Sequence, residues 1–161
     1  MEVTKTAAIA GMEISEIESR IDEKQLKQLM EKIRRAKKIY VCGAGRSLLM
    51  LRCFAMRLMH VGYDAYVVGD TTTPAFEEGD LLIVGTASGE TTNLISIADR
   101  AKSYGGTIAV CSIFPESSLG KRADAFVRIP AYTDKLPESD DNKKNILPGG
   151  SMFEISIAGT V

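Results

Sequence analysis

The sequence predicts an α/β fold, a three-layer sandwich in which helices cover both faces of a five-stranded parallel sheet. Short apolar runs of strand length recur along the chain, and turn residues bound each of them. The runs are apolar throughout instead of alternating with polar residues, which is typical of strands buried on both faces. Segments with helical periodicity separate several of the runs, and strands that alternate with helices pair in parallel. We therefore expect a doubly wound sheet with right-handed crossovers.

The overall composition indicates one globular domain over residues 1–161. The 161 residues suffice for a substantial core, and 45% apolar with 25% charged residues are ordinary globular values. The net charge of −1 provides no electrostatic attraction for nucleic acid or an anionic membrane. No apolar run approaches the roughly 20 residues of a spanning helix, and the N-terminus lacks the apolar stretch of a signal peptide. We expect a cytoplasmic protein that binds neither nucleic acid nor a membrane.

The spacing of the cysteines and the single histidine give no indication of a metal centre. Cys42, Cys53 and Cys111 are odd in number, their spacing fits no zinc motif, and two of them fall in predicted buried strands. We interpret all three as small core residues in a reducing compartment. His60 is the single histidine, which excludes a histidine-rich metal site. No metal is predicted.

Two helices are predicted before the first strand, within residues 13–36. The first begins at Glu13, and the preceding residues are small and predict no element. Asp22 with Gln25 resembles a capping box and marks the start of the second helix. The apolar face of the first helix consists of Ile14, Ile17 and Ile21. This helix has little to pack on within its own chain, so we expect it to contact a neighbouring subunit.

The first strand, at 38–41, leads into a glycine-rich turn at 42–47 and then into a helix at 48–61. This helix is apolar almost all round, and Gly62 ends it. The second strand follows at 65–68. The two strands and the helix between them form the first predicted parallel unit.

The stretch from residue 81 to residue 92 organises the rest of the chain. It begins as the third strand at 81–85, continues as a hydroxyl-rich turn, and becomes a helix from Thr92 onward. The fourth strand is predicted at 107–112 and the fifth at 125–129. A short capped turn or helix at 115–121 lies between them.

The chain from residue 131 onward predicts a long loop and a final helix. Residues 131–150 are polar and include two prolines and a Gly-Gly pair. This loop is long enough for a lid or for an arm that contacts another subunit. The final helix begins with Ser151 as its N-cap and Glu154 at N3. It has only two or three turns because the sequence stops at Val161.

The turn after the third strand is the predicted anion site. The hydroxyls of Thr86, Ser88 and Thr91 lie beside the first free backbone N–H groups of a helix, whose dipole favours a phosphate. Gly89 allows the backbone to approach a ligand closely. An alternative is that Ser88 or Thr91 only caps the helix. The concentration of three hydroxyls and a glycine in one turn favours the phosphate.

The glycine-rich turn after the first strand raises a second possibility, a dinucleotide site. The nicotinamide fingerprint needs a third glycine or alanine, and Leu48 occupies that position. The candidate acidic residue, Asp70, lies past the second strand in a loop. The two turns instead meet at the carboxyl ends of adjacent strands, where open α/β sheets bind ligands. The side chains expected around one phosphate are Ser47, Thr86, Ser88 and Thr91.

Six short segments together resemble the sugar isomerase (SIS) family, and within it the 6-phospho-3-hexuloisomerases. They are Gly-Ala-Gly-Arg-Ser at 43–47, Ala-Met-Arg-Leu-Met-His at 55–60, Val-Val-Gly-Asp-Thr-Thr-Thr-Pro at 67–74, Ser-Gly-Glu-Thr at 88–91, Pro-Glu-Ser-Ser-Leu-Gly-Lys at 115–121 and Phe-Glu at 153–154. The resemblance covers nearly the whole chain. It implies a flavodoxin-like sandwich, a homotetramer, and interconversion of 3-hexulose 6-phosphate with fructose 6-phosphate, as in the ribulose monophosphate pathway. It implies no metal and no organic cofactor.

The resemblance also implies a set of site residues. Glu154 and His60 are the catalytic candidates. The residues expected to bind the substrate and its phosphate are Arg46, Ser47, Thr86, Ala87, Ser88, Gly89, Glu90 and Thr91. The chain departs from the family in two places. The family's Ser-Gly-Ser-Gly-Glu-Thr is Thr-Ala-Ser-Gly-Glu-Thr at 86–91, and the family's last helix runs further, so the helix here looks truncated after Ser156.

The implied reaction needs one base and donors for a developing oxyanion. Moving a carbonyl from C3 to C2 takes a proton from C2, forms an enediol and returns a proton at C3. Glu154 is the expected base, and its alternative role is that of a capping-box glutamate. Glu90 is the rival carboxylate, although its place in the first helical turn favours a dipole-stabilising role.

The sequence leaves the roles of two further side chains open. Arg46 pairs either with the phosphate or with a carboxylate across a subunit boundary. His60 either shuttles a proton or is structural. A dedicated ring-opening histidine is not required in the direction that starts from the 3-ketose, because this sugar cannot close an ordinary furanose ring when its 6-hydroxyl is esterified.

The leading functional hypothesis is a cofactor-independent ketose-phosphate isomerase. One alternative is an isomerase of another sugar phosphate. The other is a non-catalytic module that binds a sugar phosphate, such as the effector domain of a regulator. Turnover of the 3-hexulose phosphate discriminates among the three.

Overall fold

The computed structural model describes residues 2–147 and 150–160, and in the last helix only the side chains of residues 153–157. The sheet has five parallel strands in the order β2-β1-β3-β4-β5. The strands are β1 (Ile39–Gly43), β2 (Ala65–Val67), β3 (Leu81–Gly85), β4 (Thr107–Ser112) and β5 (Ala125–Arg128). The predicted α/β class and the number of strands are confirmed.

Helices cover both faces of the sheet. They are α1 (Val3–Ser19), α2 (Glu23–Arg35), α3 (Arg46–His60), α4 (Thr92–Ser103) and α5 (Ser151–Thr160), with a 3₁₀ turn at Gly120–Arg122. One face carries α1, α2, α3 and α5, and the other carries α4. This arrangement is the three-layer sandwich predicted from the sequence.

The central strand β3 is buried along its whole length, which is why its sequence is uniformly apolar. Leu81 and Ile83 enter the core under the four helices, and Leu82 and Val84 enter the core under α4. All four side chains are at most 1% exposed. Burying each of them stabilises the fold by about 1.5–3 kcal/mol. The strand therefore provides a rigid support for the turn that follows it.

The first helix differs from the prediction, since it begins at Val3 and not at Glu13. The segment before Glu13 is rich in alanine, which has high helix propensity, but it has no apolar face to reveal a helical period. The start of the helix packs on little of the chain, and Val3 is 84% exposed. The apolar face packs within its own chain, contrary to the prediction, because Ile17 is 4% exposed in the core and Ile14 and Ile21 pack against that core.

The second helix begins as predicted, but its capping box is incomplete. The Asp22 carboxylate accepts a hydrogen bond from the backbone N–H of Lys24 at 2.7 Å. Gln25 does not complete the box, because its side-chain oxygen accepts from the backbone N–H of Arg128 at 2.8 Å. Gln25 thus joins α2 to the edge strand β5.

The cysteines behave as predicted at two of the three positions. Cys42 and Cys111 are buried in β1 and β4, and burial raises the pKa of each thiol to about 12. Cys53 lies on the exposed side of α3, so its prediction as a core residue is wrong. The helix is apolar almost all round, and the sequence therefore could not show which side faces the sheet.

The loop before the last helix is organised around Asn142. The side-chain amide of Asn142 donates to the carbonyl of Thr133 at 2.9 Å and to that of Leu136 at 3.0 Å, and its oxygen accepts from the Thr133 N–H at 2.9 Å. Further along, the Ile146 N–H donates to the Glu13 carboxylate at 2.9 Å. The loop is thus attached to α1. Its role as a lid or subunit arm stays a prediction.

Within the part of the chain that the structure describes, no helix is both long and apolar enough to cross a membrane.

Candidate active site

Two turns meet at the carboxyl ends of β1 and β3, as the sequence predicted. Gly43 and Gly85 are register partners at the last position of each strand. A Cβ atom on Gly43 would lie 3.0 Å from the backbone nitrogen of Leu48 and 3.1 Å from the carbonyl oxygen of Gly85. Glycine is therefore what allows α3 to begin directly above the neighbouring strand.

The hydroxyl turn, residues 86–91, is shaped by two of its own side chains. The Thr86 hydroxyl accepts from the Gly89 N–H at 3.2 Å, and the Ser88 hydroxyl accepts from the Glu90 N–H at 3.2 Å. Thr86 is only 4% exposed, so its main effect is on the shape of the turn. Gly89 has a φ of +68°, a conformation that favours glycine.

The capping alternative for the hydroxyls is not what the structure shows. Thr91 is the N-cap residue of α4, yet its side chain makes no capping hydrogen bond. Ser88 bonds within the hydroxyl turn and not to the first turn of α4. Both side chains are half-buried at the mouth of the helix, where their hydroxyls can donate to an anion.

The N-termini of α3 and α4 open on the same edge of the sheet. Gly45, with φ +56°, is the N-cap of α3 and provides no side chain to fill the space above its N–H groups. Ser47 lies in the first turn of α3 and is 8% exposed. Neither helix has an acidic residue in its first turn, so the positive ends of both dipoles are available to a phosphate.

Glu154 and Arg46 form an ion pair beside this edge. The Arg46 Nε atom lies 3.0 Å from Oε1 and 2.9 Å from Oε2 of Glu154. The Glu154 side chain is 13% exposed and that of Arg46 is 64% exposed. Arg46 therefore binds a carboxylate of its own chain, an arrangement that the sequence-based alternatives did not include.

Helix α5 is held in place by two buried side chains next to Glu154. Phe153 and Ile157 are at most 1% exposed, and Ile157 packs close to Gly85 at the base of the hydroxyl turn. The first helical hydrogen bond runs from the Glu154 N–H to the Gly150 carbonyl at 3.0 Å. Gly150 and not Ser151 thus provides the first carbonyl of the helix. The side chain of Ser151 lies outside the described residues.

Glu90 is turned away from the Arg46–Glu154 pair and towards the segment 115–122. Its carboxylate accepts from the backbone N–H of Ser118 at 2.8 Å and from the Ser118 hydroxyl at 2.6 Å. These two hydrogen bonds lower the pKa of Glu90, and the charges of Lys121 and Lys135 lower it further. A carboxylate with this set of partners is a poor general base.

His60 is the one candidate that a single chain does not bring to this edge. It is the last residue of α3, whereas Arg46 is the first. A helix of 15 residues separates the two Cα atoms by about 21 Å. The imidazole is exposed at the far end of the helix.

Sequence reasoning missed several serines that support the hydroxyl turn. The Ser112 hydroxyl donates to the Ala87 carbonyl at 3.2 Å, and Ser117 packs against Gly89. Ser118 binds Glu90 as described above. The signal available in the sequence was the segment 115–121, which carried part of the family resemblance without indicating a partner.

A cavity of about 470 Å³ lies elsewhere, between α4 and the loop before β3. Its lining includes Tyr40, Phe76 and Tyr104 but none of the hydroxyl residues at 86–91. The candidate site is an open edge of the sheet and not this apolar cavity.

Comparison with known proteins gives three findings. The model of the SIS domain family matches residues 32–138. A 3-hexulose-6-phosphate isomerase from Bacillus subtilis is 43% identical over 154 residues, which are 96% of this chain and 82% of that protein. A 3-hexulose-6-phosphate isomerase from Mycobacterium gastri is 42% identical over 153 residues, which are 95% of this chain and 75% of that protein.

A solved structure shows the same fold. It is that of a Methanococcus jannaschii protein, for which the crystal structure infers a function of 3-hexulose-6-phosphate isomerase. It superimposes with a TM-score of 0.77 at 32% identity, covering 97% of this chain and 84% of that one.

Proposed function

The chain belongs to the SIS domain family, and we propose that it is a cofactor-independent isomerase that interconverts 3-hexulose 6-phosphate and fructose 6-phosphate. The observation that carries the proposal is the contact of Arg46 with Glu154, which lies on the edge of the sheet where two helix N-termini and the hydroxyl turn converge. An anion site and a carboxylate base next to each other are what the reaction requires.

The phosphate binds at the hydroxyl turn. Ser47, Ser88 and Thr91 donate hydroxyl hydrogen bonds, and the free N–H groups of α3 and α4 add to them. Thr86 and Gly89 give the turn its shape. Ala87 lines the turn without a polar side chain, and its carbonyl is held by Ser112 and by the Ile113 N–H. Anchoring the phosphate positions the carbon chain for the base.

Glu154 is the base. It takes the proton from C2, the electron pair forms the C2–C3 double bond of the enediol, and the C3 oxygen takes up a proton. Glu154 then gives C3 the proton that it took from C2, and the C2 hydroxyl returns a proton to the group that protonated the C3 oxygen, which places the carbonyl at C2. Arg46 fixes the orientation of the carboxylate, and the exposed part of its guanidinium donates to the oxygen on which charge develops.

His60 reaches a site only in an assembly. Leu49, Cys53 and Met56 form an exposed stripe on α3 that continues to His60, at the spacing i, i+4, i+7 and i+11. We define these four residues as the α3 stripe. Leu49 and Met56 are 56% and 57% exposed, which is unusual for apolar side chains on one helix face.

A second copy covers the α3 stripe. Cys53 is seven residues from Arg46 and seven from His60, so two antiparallel α3 helices related by a two-fold axis at Cys53 place His60 of each chain opposite Arg46 of the other. His60 then acts as a proton shuttle in the neighbouring site. The exposed first half of α1 provides a second surface, and two such interfaces generate a homotetramer. We place this tetramer in the cytoplasm, where its thiols stay reduced.

A coupled assay tests the activity. The purified chain receives 3-hexulose 6-phosphate, and an enzyme system specific for fructose 6-phosphate reports the product. Turnover supports the isomerase. Tight binding of the sugar phosphate without turnover would instead identify a binding module, and turnover of other sugar phosphates alone would change the substrate.

A cross-linking experiment tests the assembly. Mild oxidation should join two chains through Cys53, since the two-fold axis brings these Cα atoms within disulfide distance. Cys53→Ser should abolish the cross-link. Cys42 and Cys111 cannot replace it because both are buried. Failure to cross-link in a chain that is active would refute the proposed axis.

A further inference from the structure

Glu90 connects the hydroxyl turn to a separate part of the chain. Its two carboxylate oxygens are each within 2.8 Å of a donor on Ser118, one on the backbone and one on the side chain. The two residues are 28 positions apart in the sequence. Glu90 immediately precedes the N-cap of α4, so this contact acts on the backbone that would face a phosphate.

The backbone and the side chains around this contact fit closely. The Leu119 N–H donates to the Gly89 carbonyl at 3.0 Å. A Cβ atom on Gly89 would overlap the Ser117 side chain, so the hydroxyl turn lies directly against the segment 115–122. Ser117 is itself held, since its hydroxyl donates to the Phe114 carbonyl at 2.7 Å and accepts from the Gly120 N–H at 3.2 Å.

Arg122 closes the connection back to α4. It donates to the Ser118 carbonyl at 2.8 Å and, through Nε, to the Asp99 carboxylate on α4 at 2.7 Å. The segment 115–122 therefore has two attachments to α4. Ser118 binds Glu90 just before the helix, and Arg122 binds Asp99 within it. Such a closed arrangement restricts the rotation of the hydroxyl turn relative to the helix.

The position of Glu90 next to the N-terminus of α4 makes the partner of its carboxylate important for phosphate binding. A free carboxylate beside the N-terminus of α4 would compete with a phosphate for the same N–H groups. Ser118 occupies both carboxylate oxygens, and Lys121 and Lys135 lie near enough to act on the charge. The carboxylate is thus directed away from the space in front of the helix.

We propose that Glu90 is a positioning residue, which acts through Ser118 to hold the hydroxyl turn in the conformation that binds the substrate phosphate. It does not contact the ligand. This role rests on the proposed function. It differs from the three roles expected from the sequence, which were a substrate contact, a rival base and a dipole-stabilising residue in the first turn of α4. The last of these placed Glu90 wrongly, because it lies before the N-cap Thr91.

The test measures binding and turnover separately in four variants, Glu90→Ala, Glu90→Gln, Ser118→Ala and the double variant Glu90→Ala/Ser118→Ala. The probes are 3-hexulose 6-phosphate for KM and kcat and inorganic phosphate for competitive inhibition. Glu90→Ala should raise KM and the phosphate inhibition constant by about tenfold each and change kcat by less than about twofold. Glu90→Gln should restore most of the loss, because its amide can still pair with Ser118.

The variants at Ser118 test whether Glu90 and Ser118 act through the same contact. Ser118→Ala removes one of the two donors and should raise KM by less than Glu90→Ala does. The double variant should be no worse than Glu90→Ala, because the two changes remove the same contact. Glu23→Ala is the matched control, since it removes an exposed glutamate on α2 that pairs with Lys27. Ser118→Ala carries the test if Glu90→Ala does not fold.

Three results would overturn the positioning role. Tighter phosphate binding in Glu90→Ala would show that the carboxylate faces the ligand. A large loss of kcat at unchanged KM would make Glu90 a catalytic residue. Additive effects in the double variant would separate Glu90 from Ser118. If wild type binds neither probe, the proposed function itself fails and the positioning role fails with it.

Discussion

Replacing Glu154 with glutamine separates a catalyst from a binding protein. Glutamine keeps the size of the side chain and can still accept a hydrogen bond from Arg46, but it cannot take a proton. Loss of a positioned base costs about 10²–10⁴-fold in rate. We expect kcat to fall within this range, and the affinity for the sugar phosphate to change little, because the hydroxyl turn is untouched.

The expected cost in stability follows from the exposure of the ion pair. Arg46 is 64% exposed, so solvent screens its interaction with the 13% exposed Glu154 side chain. A pair of this kind contributes about 1 kcal/mol or less to the free energy of unfolding. In a domain of this size that corresponds to a decrease in Tm of about 2–4 °C.

The measurements are kcat from the coupled assay, affinity from calorimetry and Tm from thermal unfolding. Glu31→Gln is the matched control, because it also removes a carboxylate that pairs with an arginine, Arg35, but on α2. This control should keep full activity. Full turnover by Glu154→Gln would remove Glu154 from the mechanism and refute the reasoning.

Three further predictions concern binding, assembly and pH. Ser88→Glu should abolish sugar-phosphate binding in calorimetry, because the new carboxylate repels the phosphate and a hydroxyl donor is lost. Met56→Lys should convert the tetramer to smaller species in light scattering and lower kcat, since a charge on the α3 stripe disfavours its burial. Glu90 has a lowered pKa because it accepts from Ser118, so it contributes stability above its ordinary pKa of 4.5 that is lost as the pH falls through the lowered value. Glu90→Gln should therefore lose less Tm than wild type between pH 6 and pH 3.

Each of these has an outcome that contradicts it. Unchanged calorimetry in Ser88→Glu would refute the phosphate site. A monomeric wild type at micromolar concentration would refute the tetramer, and an intact, fully active tetramer of Met56→Lys would refute the α3 interface. Parallel acid unfolding of wild type and Glu90→Gln would show that the Ser118 contact does not stabilise the ionised carboxylate.

The sheet could be predicted because its signals are local. Each strand is a short apolar run bounded by turn residues, and β3 is buried at every position. The first half of α1 could not be predicted in this way, because helix propensity without an apolar face leaves no period to detect. The side of α3 that faces the sheet could not be predicted for the opposite reason. Its apolar residues surround the helix, so Cys53 on the exposed side looked like a core residue.

Parts of the candidate site could likewise be predicted from the sequence, and other parts could not. The meeting of the two turns follows from the parallel order of β1 and β3, and the register of Gly43 with Gly85 confirms it. The partner of Glu90 could not be found, since Ser118 is distant in sequence and only the folded chain brings it near. His60 lies at the other end of α3 from this edge, and no pattern within one sequence specifies the second chain that we propose as its neighbour.

The two-fold packing that we propose for the α3 stripe has a consequence for mixtures of inactive proteins. If each site takes Glu154 from one chain and His60 from the other, an assembly that contains only Glu154→Gln chains is impaired. An assembly that contains only His60→Ala chains is impaired as well. A hybrid pair contains one site in which both residues are intact and one in which neither is. Subunit exchange between the two variants should therefore regenerate activity that neither possesses alone, and subunits cross-linked before mixing should regenerate none.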